Sequence, residues 1–293
     1  MSNTSHVTRT DCAEALLERQ RDAPTPCVVA IHDAFDEADL GRTWDMTNGS
    51  LTIGRAPTNG VCIDHPSISQ RHAEILRVEG DFFLFVDLGS KNGSFVNGKT
   101  VRDQRLASGD RITFCQTVLK FVIADPIERA YLDTMRRLAT SDDLTGLANR
   151  RHLHALLARE LRAAQRRTRP LSLLLLDVDD MGGANRRLGR AGGDDLLRRL
   201  ADTVRASLRA SDLAGRTGGD EIAIVLPATR IEEAHALAEG IGQRIAAEIG
   251  VTASFGLAAL APDSDADHAA LAHRAGERLA RAKQTGRHAI VAG

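Results

Sequence analysis

The stretch Arg216-Thr217-Gly218-Gly219-Asp220-Glu221-Ile222-Ala223-Ile224-Val225-Leu226 decides how this chain is read. Paired glycines make a favoured two-residue hairpin loop, because both positions take positive φ at little cost. The branched apolar run behind them has the composition of a strand. Asp220 and Glu221 stand at the tip of the turn. Carboxylates concentrated there suit a hard divalent cation with oxygen ligands, and they equally suit a solvated surface turn.

A segment upstream separates these readings. In Pro170-Leu171-Ser172-Leu173-Leu174-Leu175-Leu176-Asp177-Val178-Asp179-Asp180 the unbroken apolar run reads as a strand buried on both faces. It ends in acids, and a period of two residues places Asp177 and Asp179 on one side. A buried strand ending in carboxylates, in the same domain as an acidic hairpin tip, points to metal-assisted phosphoryl transfer.

Further motifs follow in a fixed order. Asp142-Asp143-Leu144-Thr145-Gly146-Leu147-Ala148-Asn149-Arg150-Arg151 precedes the buried strand, Val251-Thr252-Ala253-Ser254-Phe255-Gly256-Leu257-Ala258 follows the hairpin, and Ala282-Lys283 with Gly286-Arg287 closes the series. With these motifs, residues 142–290 resemble the GGDEF family of diguanylate cyclases. The resemblance implies a mixed central sheet flanked by helices and the joining of two GTP molecules into cyclic di-GMP with release of two pyrophosphates. It implies Mg²⁺, or Mn²⁺ in its place, held by Asp177, the Val178 carbonyl and Asp220. Asp220 is also the implied base, and Glu221 is an implied second-tier metal contact. Asn185 and Asp194 would read guanine, and Lys283 and Arg287 would contact phosphates. Arg209 and Asp212, in an R-x-x-D spacing, would form an inhibitory cyclic di-GMP site; a plain ion pair at a helix end is the alternative there. One such domain binds one GTP, so catalysis implies a homodimer.

This chain departs from the family pattern at several positions. Met181-Gly182 stands where the family usually has Phe-Lys, and Arg186 and Arg190 replace the usual Asp and His. The lysine is a phosphate contact, and its loss implies a slower enzyme; backbone N–H groups near Gly182-Gly183, or Arg186, are candidate replacements. The competing reading is a domain that has lost catalysis and serves as a cyclic di-GMP receptor, or as a phosphopeptide adaptor.

Composition changes near residue 124. Seven of the eight phenylalanines and the single Trp44 lie before it, and an Ala-, Leu- and Arg-rich sequence follows. Aromatic and β-branched residues favour strands, whereas Ala, Leu and Arg favour helices. The chain is therefore expected to hold a mobile tail over 1–27, an all-β sandwich over 28–123, a connecting helix over 124–141 and an α/β domain over 142–293. Tyr131, Met135 and Leu138 form one helical stripe in the connector, which pairs with its copy in a dimer or packs on its own domain.

The first domain resembles the forkhead-associated (FHA) domain, a phosphothreonine-binding module. The resemblance rests on Gly54-Arg55, on Ser69-Gln70-Arg71-His72 and on Asp87-Leu88-Gly89-Ser90-Lys91-Asn92-Gly93-Ser94-Phe95-Val96-Asn97-Gly98. It implies that Arg55 and Ser69 hold the phosphate, that Asn92 binds the ligand backbone, that Gln70 and Lys91 make variable contacts, and that His72 and Asn97 brace the loops. Thr4, Thr8 and Thr10 are candidate phosphosites for a Ser/Thr kinase, because a phosphorylated tail of the same chain or its mate supplies the dianion that Arg55 pairs with. Gly93–Thr100 satisfies the P-loop expression, but no buried helix can follow it, and Asn97-Gly98 reads as a hairpin turn.

The formal net charge of −1 gives no global basic field for nucleic acid or an anionic membrane. Cys12, Cys27, Cys62 and Cys115 show no metal spacing and read as reduced thiols of a cytoplasmic protein. No apolar run reaches the roughly 18 residues of a membrane helix, and Met1–His6 lacks the features of a signal peptide.

Overall fold

The branched and aromatic residues ahead of residue 124 build strands in the computed structural model. It describes residues 24–34, 36–46, 49–79, 82–260, 267–286 and 288–293, in two units divided after Arg136. The tail with Thr4, Thr8, Thr10 and Cys12, and Arg287, lie outside the described residues.

The first unit runs β1 (Thr25–Asp33), β2 (Thr43–Asp45), β3 (Ser50–Gly54), β4 (Val61–Cys62), β5 (Ala73–Val78), β6 (Phe82–Asp87), β7 (Ser94–Val96), β8 (Lys99–Val101), β9 (Asp103–Leu106), β10 (Arg111–Phe114) and β11 (Thr117–Ala124). They form sheets of order β2-β1-β11-β10-β7-β8 and β4-β3-β5-β6-β9. Side chains from both sheets meet in one core: Phe83 stands 5.1 Å from Phe121, and Phe85 6.0 Å from Phe114. β1 starts at Thr25, inside the expected tail, with Pro26 opposite Ile123. The P-loop-like segment is a hairpin in which Val96 pairs with Lys99, and Asn97 and Gly98 both hold positive φ. That is the two-residue turn geometry that Asn-Gly favours.

Helix α1 (Pro126–Thr140) follows β11. The Arg129 guanidinium ties its first turn to Asp45 and to Thr43 Oγ1. No residue of α1 is buried, and Tyr131, Met135 and Leu138 all stay exposed.

The second unit runs β12 (Ala148–Asn149), α2 (Arg150–Arg167), β13 (Leu171–Val178), α3 (Met181–Ser207), β14 (Leu213–Arg216), β15 (Glu221–Pro227), α4 (Ile231–Ile249), β16 (Ala253–Ala259), α5 (His268–Gln284) and β17 (Ile290–Val291). The sheet order is β12-β14-β15-β13-β16-β17, with parallel pairs at its two edges and antiparallel pairs between. β13 is buried along its whole length because both faces are covered. Leu171, Leu173 and Leu175 join α2 and α5, whereas Leu174, Leu176 and Val178 join α3 and α4. Among the described residues no helix is long and apolar enough to cross a membrane. Cys27, Cys62 and Cys115 are free thiols.

Candidate functional site

The antiparallel ladder between β13 and β15 sets Asp177 opposite Glu221, so Asp220, the preceding residue, adjoins Asp177 despite their separation in the chain. Asp177 is only 7% exposed. Burial is the main force raising its pKa, Asp220 and Asp179 push the same way, and Lys283 opposes them. The Lys283 Nζ stands 2.7 Å from Asp177 Oδ1, so the structure places this lysine on the carboxylate. The ladder to β15 ends at Asp177, while the one to β16 continues to Val178 opposite Ala253.

Asp179 lies beyond the end of β13, so the period-two expectation stops short of it. Its oxygens accept from Thr252 Oγ1 and Ser254 Oγ, each at 2.7 Å, and from the His288 N–H at 2.9 Å. It braces the strand end to β16 and to the turn after α5. Asp180, in the left-handed region, caps α3 by accepting from the Gly183 N–H at 3.0 Å.

The hairpin loop is longer than the sequence reading expects. It spans Thr217–Asp220, and Gly218 and Gly219 do not hold positive φ. Four loop residues close the turn with ordinary torsions, through the Thr217 N–H donating to the Glu221 carbonyl at 3.0 Å. A Cβ on Gly219 would meet nothing within 4 Å, and Arg216 reaches the Gly219 carbonyl at 2.6 Å from Nη2 and 3.1 Å from Nε. Arg216 Nη1 also pairs with both oxygens of Asp142 at 3.2 and 3.3 Å. The Thr217 hydroxyl donates to the Glu221 carboxylate, which keeps Glu221 within the hairpin.

A cavity of about 410 Å³ opens beside this loop, and Asp220, Gly219, Gly182, Asn185, Arg190 and Asp194 line it. Gly189 breaks the helical torsions of α3 at φ 71 and ψ 172, between Asn185 and Asp194, yet both residues border the same cavity. A Cβ on Gly193 would fall 1.8 Å from Asn185 Oδ1, so glycine there makes room for the amide. Lys283 is not part of this lining.

Arg209 and Asp212 border a second cavity, of about 390 Å³, with Gly146, Arg205 and Leu208. Asp212 Oδ2 accepts the Arg209 backbone N–H at 2.9 Å, closing a tight turn.

In the first unit, three loops come together. The Arg55 Nε donates to the Ile68 carbonyl at 3.3 Å, the Lys91 N–H to Ser69 Oγ at 3.1 Å, and the Asn92 amide to the Ser67 carbonyl at 2.7 Å. Gln70, Lys91 and Asn92 are exposed. The Gln70 carbonyl accepts from buried Asn59 at 2.7 Å, a brace that the sequence reading missed. His72 is fully buried and accepts the Ser69 N–H at 3.3 Å; burial lowers its pKa, outweighing the Gly93 carbonyl and Asp87. Asn97 bridges Asp110 and the Arg111 N–H.

Residues 139–289 match the family model of the diguanylate cyclase GGDEF domain. The chain belongs to the GGDEF diguanylate cyclase family. Residues 51–115 match the FHA domain. The response regulator PleD of Caulobacter vibrioides is 35% identical over 173 residues, covering 56% of this chain and 38% of that protein. Diguanylate cyclase DgcP of Pseudomonas aeruginosa is 34% identical over 166 residues, covering 54% of this chain and 24% of that protein. The chain thus spans well under half the length of these curated relatives. The solved coiled coil and GGDEF domain of DgcB from Caulobacter crescentus, in complex with c-di-GMP, superposes with a TM-score of 0.54 at 27% identity, covering 56% of this chain and 91% of that one.

Within the GGDEF domain the donor set at the strand end is oxygen only. Among the described residues no group of three His, Cys, Asp or Glu side chains converges to hold a metal. Two carboxylates and a carbonyl nevertheless fit Mg²⁺, which takes one or two carboxylates and completes its shell with water and substrate phosphates. The link between Arg216 and Asp142 is not visible in the sequence alone. The signal available was their presence in two motifs of one family; what was lacking was the strand register that joins them.

Proposed function

We propose that this chain is a diguanylate cyclase: two copies each bind one GTP, and each 3′-hydroxyl attacks the α-phosphate of the other nucleotide, giving cyclic di-GMP and two pyrophosphates. One observation carries the reading. Asp177 and Asp220 adjoin at one strand pair, beside the cavity that Asn185 and Asp194 line. There the Asp194 carboxylate accepts from guanine N1–H and the 2-amino group while Asn185 pairs with the same edge, and adenine lacks both donors. The triphosphate extends from that cavity towards Asp177. Asp177, the Val178 carbonyl and Asp220 would hold Mg²⁺ or Mn²⁺, which when bound neutralises phosphate charge and acidifies the attacking hydroxyl. Asp220 takes the hydroxyl proton, Glu221 supports it from within the hairpin, and Lys283 and Arg287 contact phosphates.

Control follows from the rest of the chain. Arg55, Ser69, Gln70, Lys91 and Asn92 receive a phosphothreonine peptide, which includes the chain's own tail once a Ser/Thr kinase has modified Thr4, Thr8 or Thr10. The exposed stripe of Tyr131, Met135 and Leu138 supports pairing of two copies in a homodimer. Cyclic di-GMP bound at Arg209 and Asp212 slows the enzyme. GTP supply places the reaction in the cytoplasm.

Incubating the full chain with GTP and Mg²⁺, followed by chromatography, tests the reading. Cyclic di-GMP is the expected product. The Met181-Gly182 departure favours one rival: no product, with cyclic di-GMP still bound, assigns the chain to the receptors instead.

A further inference from the structure

We infer that Arg186 is a triphosphate-binding residue, its guanidinium occupying the space that a side chain on residue 182 would otherwise fill; this rests on the GTP reading above. Gly182 lies in the first turn of α3 and lines the cavity together with Asp220, Asn185 and Asp194. A nucleotide with its base at Asn185 and Asp194 and its phosphates towards Asp177 and Asp220 passes this turn. A Cβ built on Gly182 would have one neighbour within 4 Å, the Arg186 Nη1 at 3.6 Å. Side chains on a helix lean towards its N-terminus and cover the preceding turn, and Arg186 does so over bare backbone.

Its present partner holds it loosely. The Arg186 Nη2 stands 3.9 Å from Asp180 Oδ1, with the two side chains 77% and 52% exposed, and that oxygen already caps the Gly183 N–H. An exposed pair at that distance contributes little, so the guanidinium can turn to a better anion without much loss. The acids Asp177, Asp179, Asp180 and Asp220 crowd this end of the sheet, and a polyanion entering there needs cations. Lys283 supplies one from α5. The first turn of α3 adds N–H groups and the positive end of a helix dipole, and Arg186 adds a planar fork suited to phosphate oxygens.

Calorimetry on the full chain tests this with two probes in Mg²⁺: an α,β-methylene GTP analogue and guanosine. Arg186→Ala should weaken the triphosphate analogue about 10–100-fold, the range of a charged hydrogen bond, and leave guanosine unchanged. Arg187→Ala removes the same charge from the next position, which does not come within 4 Å of a Cβ on residue 182, and should change neither. Adding Gly182→Lys to Arg186→Ala should recover the analogue's affinity, since the space above residue 182 is open apart from Arg186. The inference is overturned if Arg186→Ala binds the analogue like wild type, if guanosine weakens in step, if Arg187→Ala loses as much, or if Gly182→Lys restores nothing. A wild-type chain that binds neither probe overturns the GTP reading itself, and this inference with it.

Discussion

Gly256 couples packing to the site, and replacing it with alanine perturbs both. In the middle of β16, a Cβ at this position would lie 2.2 Å from the Leu279 nitrogen and 2.3 Å from the Ala275 carbonyl oxygen. Both are backbone atoms of α5, so no rotamer change relieves the contact. The helix has to lift by at least about 1.2 Å before carbon reaches ordinary van der Waals separation. Overpacking of this kind costs about 1–3 kcal/mol, and each kcal/mol lowers the melting midpoint of a domain this size by about 2–4 °C. The same helix carries Lys283, one turn past Leu279, whose ammonium meets Asp177 at 2.7 Å. A lift of that size separates the pair, and a displacement near 1 Å at a reacting centre can lower turnover about 100-fold. Melting followed by circular dichroism, with GTP turnover assayed well below the midpoint, measures the two effects separately. An unchanged midpoint would refute the close approach of α5 to the sheet. A lowered midpoint with unchanged turnover would refute the claim that the seat of α5 sets the site.

Three further predictions concern charge. Burial alone would raise the Asp142 pKa, but the Thr145 hydroxyl and N–H and the Arg216 guanidinium outweigh it and hold the carboxyl below its ordinary range. Its stabilising contribution is present above the ordinary carboxylate pKa and is lost as pH falls through the depressed value. The stability gap between wild type and Asp142→Asn in urea titrations should therefore hold steady above about pH 5 and narrow as pH falls through the ordinary value of 3.8 and below it; a constant gap refutes the link. His72 is held neutral by burial, below its ordinary value of 6.5. The first unit should lose stability as pH falls below that value, because the unfolded chain takes up the proton first, and His72→Gln should flatten the dependence in melting scans. Burial raises the Asp177 pKa and Lys283 restrains the rise, so in the chain stripped of divalent cations the Asp177 carboxyl should titrate above its ordinary range, and higher still in Lys283→Met, as followed by carboxyl-carbon NMR. A carboxyl whose titration does not move in that variant counts against the ion pair with Lys283.

Much of the fold was legible because burial leaves patterns. The leucines of β13 formed an unbroken run since both sheet faces are covered, and Leu153, Leu157 and Leu161 showed the stripe that α2 turns inward. Short elements left no such mark. β7, β8 and β10 span three or four residues each, too few for a period to emerge, and Lys99 and Thr100 in β8 are exposed. α5 hid for another reason: its inward face is Leu271, Ala275, Leu279 and Ala282, and alanine favours a helix without declaring a face. The need for glycine at 256 follows only once the register of α5 against β16 is known.

The acids at the strand end show why residue type and spacing do not assign roles by themselves. Asp177, Asp179, Asp180 and Asp220 are alike in sequence, and a period of two groups Asp177 with Asp179. Hydrogen-bond partners divide them differently. A carboxylate that accepts from two hydroxyls and an N–H, as Asp179 does, has its lone pairs committed to the fold, and one that caps a helix, as Asp180 does, has already used an oxygen. Asp177 is instead buried against a flexible lysine, and Asp220 borders a cavity. Neither Asp177 nor Asp220 braces a strand end or caps a helix, so both can turn oxygens to an incoming cation. Motif matching located the cluster; the strand register and the donors supplied by β16 and by the turn after α5 decide which of its members are braces.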